Sequence, residues 1–360
     1  MDINIIANSF YHYFFSFCIW LVAFIANKQQ ISYSKKGFSY TKLAIYMTIF
    51  STFGFIGNDY SGYKYLYDAM LYTKENIHVE PFYYWLVKVF PSDYTLWRFI
   101  VWGAASTTYV LALKKLKLNP PFSSFIIIVV LLYSTFYYLR NSLGFSVLCL
   151  GIAYLLSNRS KNKILIGIIL ITLSLYLHKS MIIYVVIFFL SLIIPFSKKY
   201  IVLSLILFPI LYPSITIFSS LFLEQSFLNQ DTSNYGQLYI DSESHLSPTL
   251  FGWIDLLITK GPIILLLFYS IKHVYFKKEI EKNYLLQYSY TLFYVSMLFL
   301  GQNVSYTLSD RVWIGAMFPF TLFLCQYFNN KREHKIFKYS MSLLILANFY
   351  SFLSKIINVL

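Results

Sequence analysis

Charge is what this chain has least of. Only 12% of its 360 residues are Asp, Glu, Lys or Arg, against 58% hydrophobic and 21% aromatic, with a mean hydropathy of +0.59. A soluble globule of this length needs far more polar surface than that, so the composition excludes one and makes lipid the solvent. Acidic charge is scarcer still: 15 Asp and Glu stand against 29 Lys and Arg, a formal net charge of +14. In a soluble protein that excess would suggest nucleic acid. Here it lies in short gaps between apolar runs, where it orients helices and meets anionic headgroups, and nucleic-acid binding is set aside.

Cysteine is nearly absent. Cys18, Cys149 and Cys325 fall inside apolar stretches with no metal-ligand spacing, and they read as small core residues rather than a disulfide frame or a zinc site. The chain has no Walker loop, dinucleotide fingerprint, HExxH or serine-hydrolase elbow, which argues against ATP as energy source and against a nucleotide-sugar donor. Asp241 and Glu243, the closest carboxylates of the late polar segment, make a poor metal site without further ligands. Neither metal nor cofactor is expected. The first apolar run lacks a positive flank and a small-residue cleavage site and follows Asp2, so it reads as a retained span.

What the chain has is apolar runs of membrane-spanning length. A span needs roughly 20 mostly apolar residues, and segments can be drawn over residues 3–27, 43–57, 94–113, 122–139, 143–157, 164–177, 181–195, 201–222, 251–271, 284–301, 311–328 and 339–358. The expected fold class is all-α, a polytopic membrane protein with about 12 transmembrane helices. With no internal repeat or linker, residues 1–360 read as a single transmembrane domain.

The charges also fix an orientation. Alternate gaps hold Lys35 and Lys36, Lys114 to Lys117, Arg159 to Lys163, Lys198 and Lys199, Lys272 to Lys282, and Lys331 to Lys338, but only Glu279, Glu281 and Glu333 of the acidic residues. The positive-inside rule makes these gaps cytoplasmic and places both termini outside. Two outer segments exceed a turn, residues 58–93 and 223–250. The first carries EPFYYWLVKVF, an aromatic stretch too short to span and suited to lying flat at the interface or dipping in. The second is polar and of a length usual for lids and binding loops.

Isolated ionisable groups in or beside apolar helices are costly in lipid, which makes each a candidate for function. Asp59, Glu80, Arg98, Arg140, His178, Lys179, Asp310 and Arg311 all fall on the outer side. Arg140 sits in FYYLRNSLGFSVL with almost no loop around it, and its planar fork of donors suits phosphate oxygens. Arg311 offers the same chemistry from another helix, unless it only pairs with Asp310. Arg98 is a further cation, unless it only locks to Glu80 or Asp93. His178 can accept a proton near neutral pH, and Lys179 beside it adds positive charge. If residues 59–67 are helical, Asp59, Tyr63 and Tyr67 share one face, and tyrosines beside a carboxylate suit a sugar. Each of these residues also has a bland reading, as a headgroup anchor or helix cap.

The segments GNDYSGYKYLY, EPFYYWL, LRNSLGFSVLCLGIAYLL and LYLHKSMIIYVV, in that order, resemble the EpsG-like and Wzy-type polymerases of bacterial surface polysaccharides (O-antigen, capsule or exopolysaccharide). After Pro195 the likeness rests on topology, a large outer loop and the Arg of SDRVWIG. The chain departs from relatives at Asn141, Ser142 and Lys179. The resemblance implies a GT-C-like helical bundle in the bacterial inner membrane that works on its outer face. The implied substrates are polyprenyl-pyrophosphate-linked oligosaccharides, with room for a chain-length regulator and a flippase as further partners. It implies His178 or Asp59 as base and Arg140 as a catalytic cation, with Arg311 and Arg98 on phosphate and Glu80, Tyr63, Tyr67 and Lys179 toward the substrate. An O-antigen ligase would use the same donor. A flippase or transporter and a sugar acyltransferase are the readings from other classes.

Overall fold

The structure is a computed structural model. It describes residues 10–11, 13–25, 39–53, 58–72, 80–90, 93–131, 139–157, 160–194, 197–209, 211, 250–276, 283–301, 306–328 and 335–357. Among these the regular structure is entirely helical. The helices are α1 (Tyr13–Ile25), α2 (Tyr40–Phe53), α3 (Asn58–Tyr72), α4 (Pro81–Val89), α5 (Tyr94–Lys115), α6 (Pro120–Ile126), α7 (Leu139–Ser157), α8 (Lys161–Leu177), α9 (Met181–Ile193), α10 (residues 198–209), α11 (Leu250–Ile271), α12 (Tyr284–Gly301), α13 (Tyr306–Tyr327) and α14 (Lys335–Ile357). The polar segment 223–250 lies almost wholly outside the described residues.

Among the described residues four helical stretches are both long and apolar enough to cross a membrane: Tyr94–Lys115, Leu139–Ser157, Leu257–Tyr275 and Lys335–Ser354. Shorter apolar helices cover Tyr13–Ile25, Phe122–Leu131 and Met181–Ile193. Lipid as solvent explains the surface. On α14 the side chains of Ile336, Tyr339, Leu343, Leu346, Tyr350, Leu353 and Ile357 are exposed at steps of three and four, while Phe337, Met341, Leu344 and Phe352 are buried. On a soluble protein the outward face would be polar.

The chain clusters into two compact units, residues 1–185 with 321–360 and residues 186–320. In the first, α7 is the central helix, packed by α5 on one side and α8 on another. Gly151 and Gly167 set the α7–α8 approach: a Cβ on either would stand 3.0 Å from the carbonyl oxygen of the other. Small residues let helix backbones meet this closely where no hydrophobic effect drives association. Residues 127–131 continue α6 as a π-helix. Two of its carbonyls accept from remote side chains, Ile128 from Trp20 Nε1 at 3.0 Å and Val129 from Asn348 Nδ2 at 2.8 Å. A buried polar side chain on α14 thus has a structural use.

In the second unit Gln287 donates to the carbonyls of Ser191 and Ile194, satisfying the end of α9. Ser296 and Ser309 exchange hydrogen bonds to each other's carbonyls, 2.8 Å each, joining α12 to α13.

The segment expected to be too short to span is α4, a helix of 9 residues. Tyr83, Leu86 and Val87 are buried, while Tyr84, Trp85 and Val89 are exposed. Arg140, placed by sequence in a gap between two spans, lies within α7 itself.

Candidate active site at Glu80, Arg140 and His178

The local chemistry of α4 frees a carboxylate. Glu80 is its N-cap and Pro81 its first helical residue; the Glu80 carbonyl accepts from Tyr83 at 3.0 Å, but its side chain makes no capping bond. A carboxylate at an N-cap ordinarily bonds its own helix. This one reaches across the unit instead. Its Oε2 accepts from Arg140 Nη1 at 2.7 Å, and its Oε1 lies 2.7 Å from His178 Nδ1.

Each partner is held in turn. Arg140 projects from α7, its guanidinium carbon 5.6 Å from the centre of the Tyr63 ring, and its carbonyl accepts from Tyr83 Oη at 3.0 Å. Tyr83 is fully buried and packs edge-on to Trp97, 6.2 Å between centroids. His178 is the C-cap of α8, in extended backbone, where the helix stops and the chain turns into α9. It comes close to α7 because residue 144 is glycine: a Cβ there would lie 3.5 Å from that of His178 and 3.0 Å from Met181 Cγ.

The electrostatics are unequal. Glu80 is 7% exposed, His178 15% and Arg140 21%. Burial alone pushes the Glu80 carboxyl up, but the hydrogen bond from His178 and the charge of Arg140 outweigh it and hold the group down at about 2. Glu80 is therefore an anion at neutral pH. An anionic Oε1 accepts, so Nδ1 of His178 carries the proton, and in neutral imidazole Nε2 is then the acceptor. One carboxylate fixes a guanidinium and the tautomer of a potential base.

The remaining polar residues of the outer segments are placed differently. Tyr63 belongs to the cluster, but Tyr67, on the same face of α3, is 3% exposed and packs on Tyr94 and Trp97 at 5.5 and 5.7 Å. It is a core residue, because the face of α3 that reaches Arg140 turns into the α4–α5 packing one turn on. Arg98 is also buried, and its Nη2 donates to the Ser51 carbonyl at 3.1 Å, which ties α5 to α2. Asp93 accepts from Thr95 N as the N-cap of α5. Lys179 lies on the turn after His178 and is not among the groups that Glu80 holds. Asp59 is in α3, but its side chain lies outside the described residues.

In the second unit, Asp310 lies 3.1 Å from Lys260 Nζ of α11, and Lys260 stands 5.0 Å from the Trp313 ring centre. Asp310 thus has an ion-pair partner on another helix. Arg311 lies on α13 at intermediate burial. Lys260 falls outside the set of outer-side charges, although a lysine in the middle of an apolar run is the same costly signal. Sequence does not single out Tyr83, because a chain with 34 tyrosines marks none of them. Among the described residues no three His, Cys, Asp or Glu side chains gather as a metal site.

These features define a class: a helical membrane protein with a carboxylate, a guanidinium and an imidazole drawn from three distant segments into one polar cluster. The chain belongs to the EpsG family, whose model matches residues 37–359. EpsG-like proteins are Wzy-type polymerases, so at a coarse level the chain is a polysaccharide-polymerase type of membrane enzyme. No curated protein matches it, and no solved structure does.

Proposed function

We propose that the chain transfers a growing glycan from polyprenyl pyrophosphate onto a lipid-linked repeat unit, at the periplasmic face of the bacterial inner membrane, with about 12 spans working as one domain. The observation that carries this reading is the Glu80 carboxylate shared by Arg140 and His178. The acceptor hydroxyl oxygen attacks the anomeric carbon of the donor glycan. The bond from that carbon to the pyrophosphate oxygen breaks, and the pyrophosphate leaves with the electron pair. The hydroxyl proton passes to His178 Nε2, and Glu80 stabilises the imidazolium that forms.

Arg140 stabilises the developing charge on the leaving group. Its Nη1 is engaged by Glu80, while its buried Nε finds no acceptor among the described residues and is a donor suited to a phosphate oxygen. Tyr63, beside the guanidinium, offers a sugar its ring face. Arg311 is assigned to phosphate, and Asp59 is the alternative base. Lys179, next to His178 in the chain, adds positive charge, while Arg98 and Tyr67 act from behind as positioning residues. The donor is already activated, so the chemistry calls for neither nucleotide nor metal.

The test is a gel profile of surface polysaccharide from a clean deletion strain, complemented with wild type, Arg140→Ala or His178→Ala at matched membrane levels. Loss of the long-chain ladder with a single repeat unit retained, restored by wild type but by neither variant, is the expected result. Loss of even the single unit indicates a ligase or flippase, and an unchanged ladder overturns the proposal.

A further inference from the structure

At the other end of α7, about 21 Å from Arg140 at 1.5 Å per residue, three helix ends line an open cavity of about 440 Å³. Its lining is cationic. Lys114, Lys115 and Lys117 come from the end of α5, Lys163 from the start of α8, and Tyr154 from α7. Between Asp93 and Glu224 the chain contains no acidic residue at all. Among the described residues none of the four lysines is paired with a carboxylate. Lys115 instead stands over the Tyr154 ring, 3.7 Å from its centre. An aromatic face offsets one charge, and three ammonium groups are left.

Lys117 distinguishes this cavity from a chance gathering. The chain leaves α5 through two closing bonds, Leu118 N–H to Leu113 O at 3.1 Å and Lys117 N–H to Lys114 O at 3.0 Å. That closure puts its penultimate residue in the left-handed region, where glycine is the usual occupant. Lys117 has φ of 57°, the one positive φ at a non-glycine position among the described residues. The turn gains nothing from a side chain there, yet a lysine occupies it at a conformational cost and lines the cavity. Retention of lysine on the cytoplasmic side and complementing of the α5 dipole are met by a lysine at any nearby position. Neither accounts for a lysine in this backbone conformation on the wall of a cavity.

We propose that the cavity binds a phosphate-bearing anion, with the headgroup of an anionic phospholipid as the source its position favours. Leu111 on its wall is 45% exposed, and Ile164, Leu165 and Ile168 continue an exposed apolar surface along α8. Lipid tails covering that surface bring their headgroups to the lysines, and basic pockets between helices on the cytoplasmic side suit such headgroups. Ser160, the N-cap of α8, makes no side-chain bond to its own helix, so the N–H groups of the first turn add to the positive field. The sidedness rests on the distribution of lysine, and the site stands whether or not the chain polymerises glycans.

The experiment is native mass spectrometry of the purified full-length chain in detergent, titrated separately with phosphatidylglycerol, phosphatidylcholine and inorganic pyrophosphate. Wild type is compared with Lys117→Gly and with Lys114→Gln/Lys163→Gln. Wild type should prefer phosphatidylglycerol over phosphatidylcholine. Lys117→Gly should weaken phosphatidylglycerol about fivefold and the double variant about 25-fold, the weight of one and two cations near a membrane surface. Lys117→Gly should also unfold at the same temperature as wild type or higher, which a lysine holding the fold together would not allow. Equal phosphatidylglycerol binding by all three proteins, or no preference over phosphatidylcholine, overturns the proposal. Tight pyrophosphate binding that the same variants weaken keeps the phosphate site but makes its source soluble.

Discussion

His178 and Glu80 are 98 positions apart in the chain and 2.7 Å apart at Nδ1 and Oε1. Because the carboxylate also holds Arg140, the imidazole and the guanidinium are kept in one geometry by one group. Glu80→Gln keeps the shape but removes the charge that stabilises an imidazolium and the acceptor that fixes its tautomer. It is expected to reduce polymer formation by roughly 100-fold, within the range of a lost acid–base contribution. Glu80→Asp, with the carboxylate drawn back by one methylene, should recover part of it. Long-chain ladder intensity at matched membrane levels is the readout.

The same carboxylate sets a pH dependence. Its folded value of about 2 lies below the ordinary 4.5. A lowered acid contributes stability that is fully present above 4.5 and is lost as pH falls through about 2. The contribution is of the order of 3 kcal/mol. Wild-type thermal stability should therefore show no change from Glu80 between pH 7 and 5 and lose its contribution between about pH 4.5 and 2. Glu80→Gln should be less stable at pH 7 and flatter across the acid range. Unfolding temperatures in detergent as a function of pH decide it; parallel curves for the two proteins would show that the ion pair carries no stability.

Arginine at position 140 is not exchangeable for lysine. Nη1 of the guanidinium bonds Glu80 while Nε keeps a donor for a phosphate oxygen, and an ammonium on a flexible stem offers no such fork. Arg140→Lys should fold, because the charge pair with Glu80 can reform, yet lose about 10²-fold or more in polymer formation. A ladder restored by Arg140→Lys would reduce Arg140 to a structural counter-ion.

The glycines of α7 separate structure from chemistry. At Gly144 an added Cβ meets the flexible end of Met181, whereas at Gly151 it meets Ile171 Cγ1 at 2.9 Å and the carbonyl of Gly167 at 3.0 Å. Gly144→Ala should be stable within about 1 kcal/mol and active, because methionine adapts. Gly144→Leu should displace His178 and abolish the ladder while protein persists. Gly151→Ala should lower the unfolding temperature and protein level together, with output per folded molecule unchanged. Membrane levels and ladder intensity from the same cultures distinguish them.

Much of this arrangement is legible in the sequence as residues but not as contacts. Arg140, His178 and Glu80 each stand out as isolated charges in apolar sequence, because lipid makes such charges expensive. Nothing in sequence spacing says that one carboxylate serves both cations, since segments 60 and 98 positions away are brought together only by packing. The shortness of α4 is readable from length alone. Its use is not, because a carboxylate at an N-cap is expected to bond its own helix. Tyr67 and Arg98 show the converse: both carry the right chemistry at the right level, and both are turned into the core by the face of the helix they occupy.

Lys260 and Asp310 form a second ion pair whose worth can be measured. Lys260 is 8% exposed and Asp310 24%, and the bond between them joins two apolar helices. Removing one partner of a buried pair leaves the other charge uncompensated and costs about 3–5 kcal/mol, less here for the partial exposure of Asp310, whereas apolar replacement of both is often neutral. Lys260→Met and Asp310→Leu are each expected to lower the unfolding temperature by several degrees, and the double variant to recover most of it. A double variant as unstable as the sum of its parents would mean that the two residues do not interact. If the double variant regains stability without regaining the polysaccharide ladder, the pair is required for function beyond its part in the fold, since hydrophobic packing alone replaces everything structural that it does.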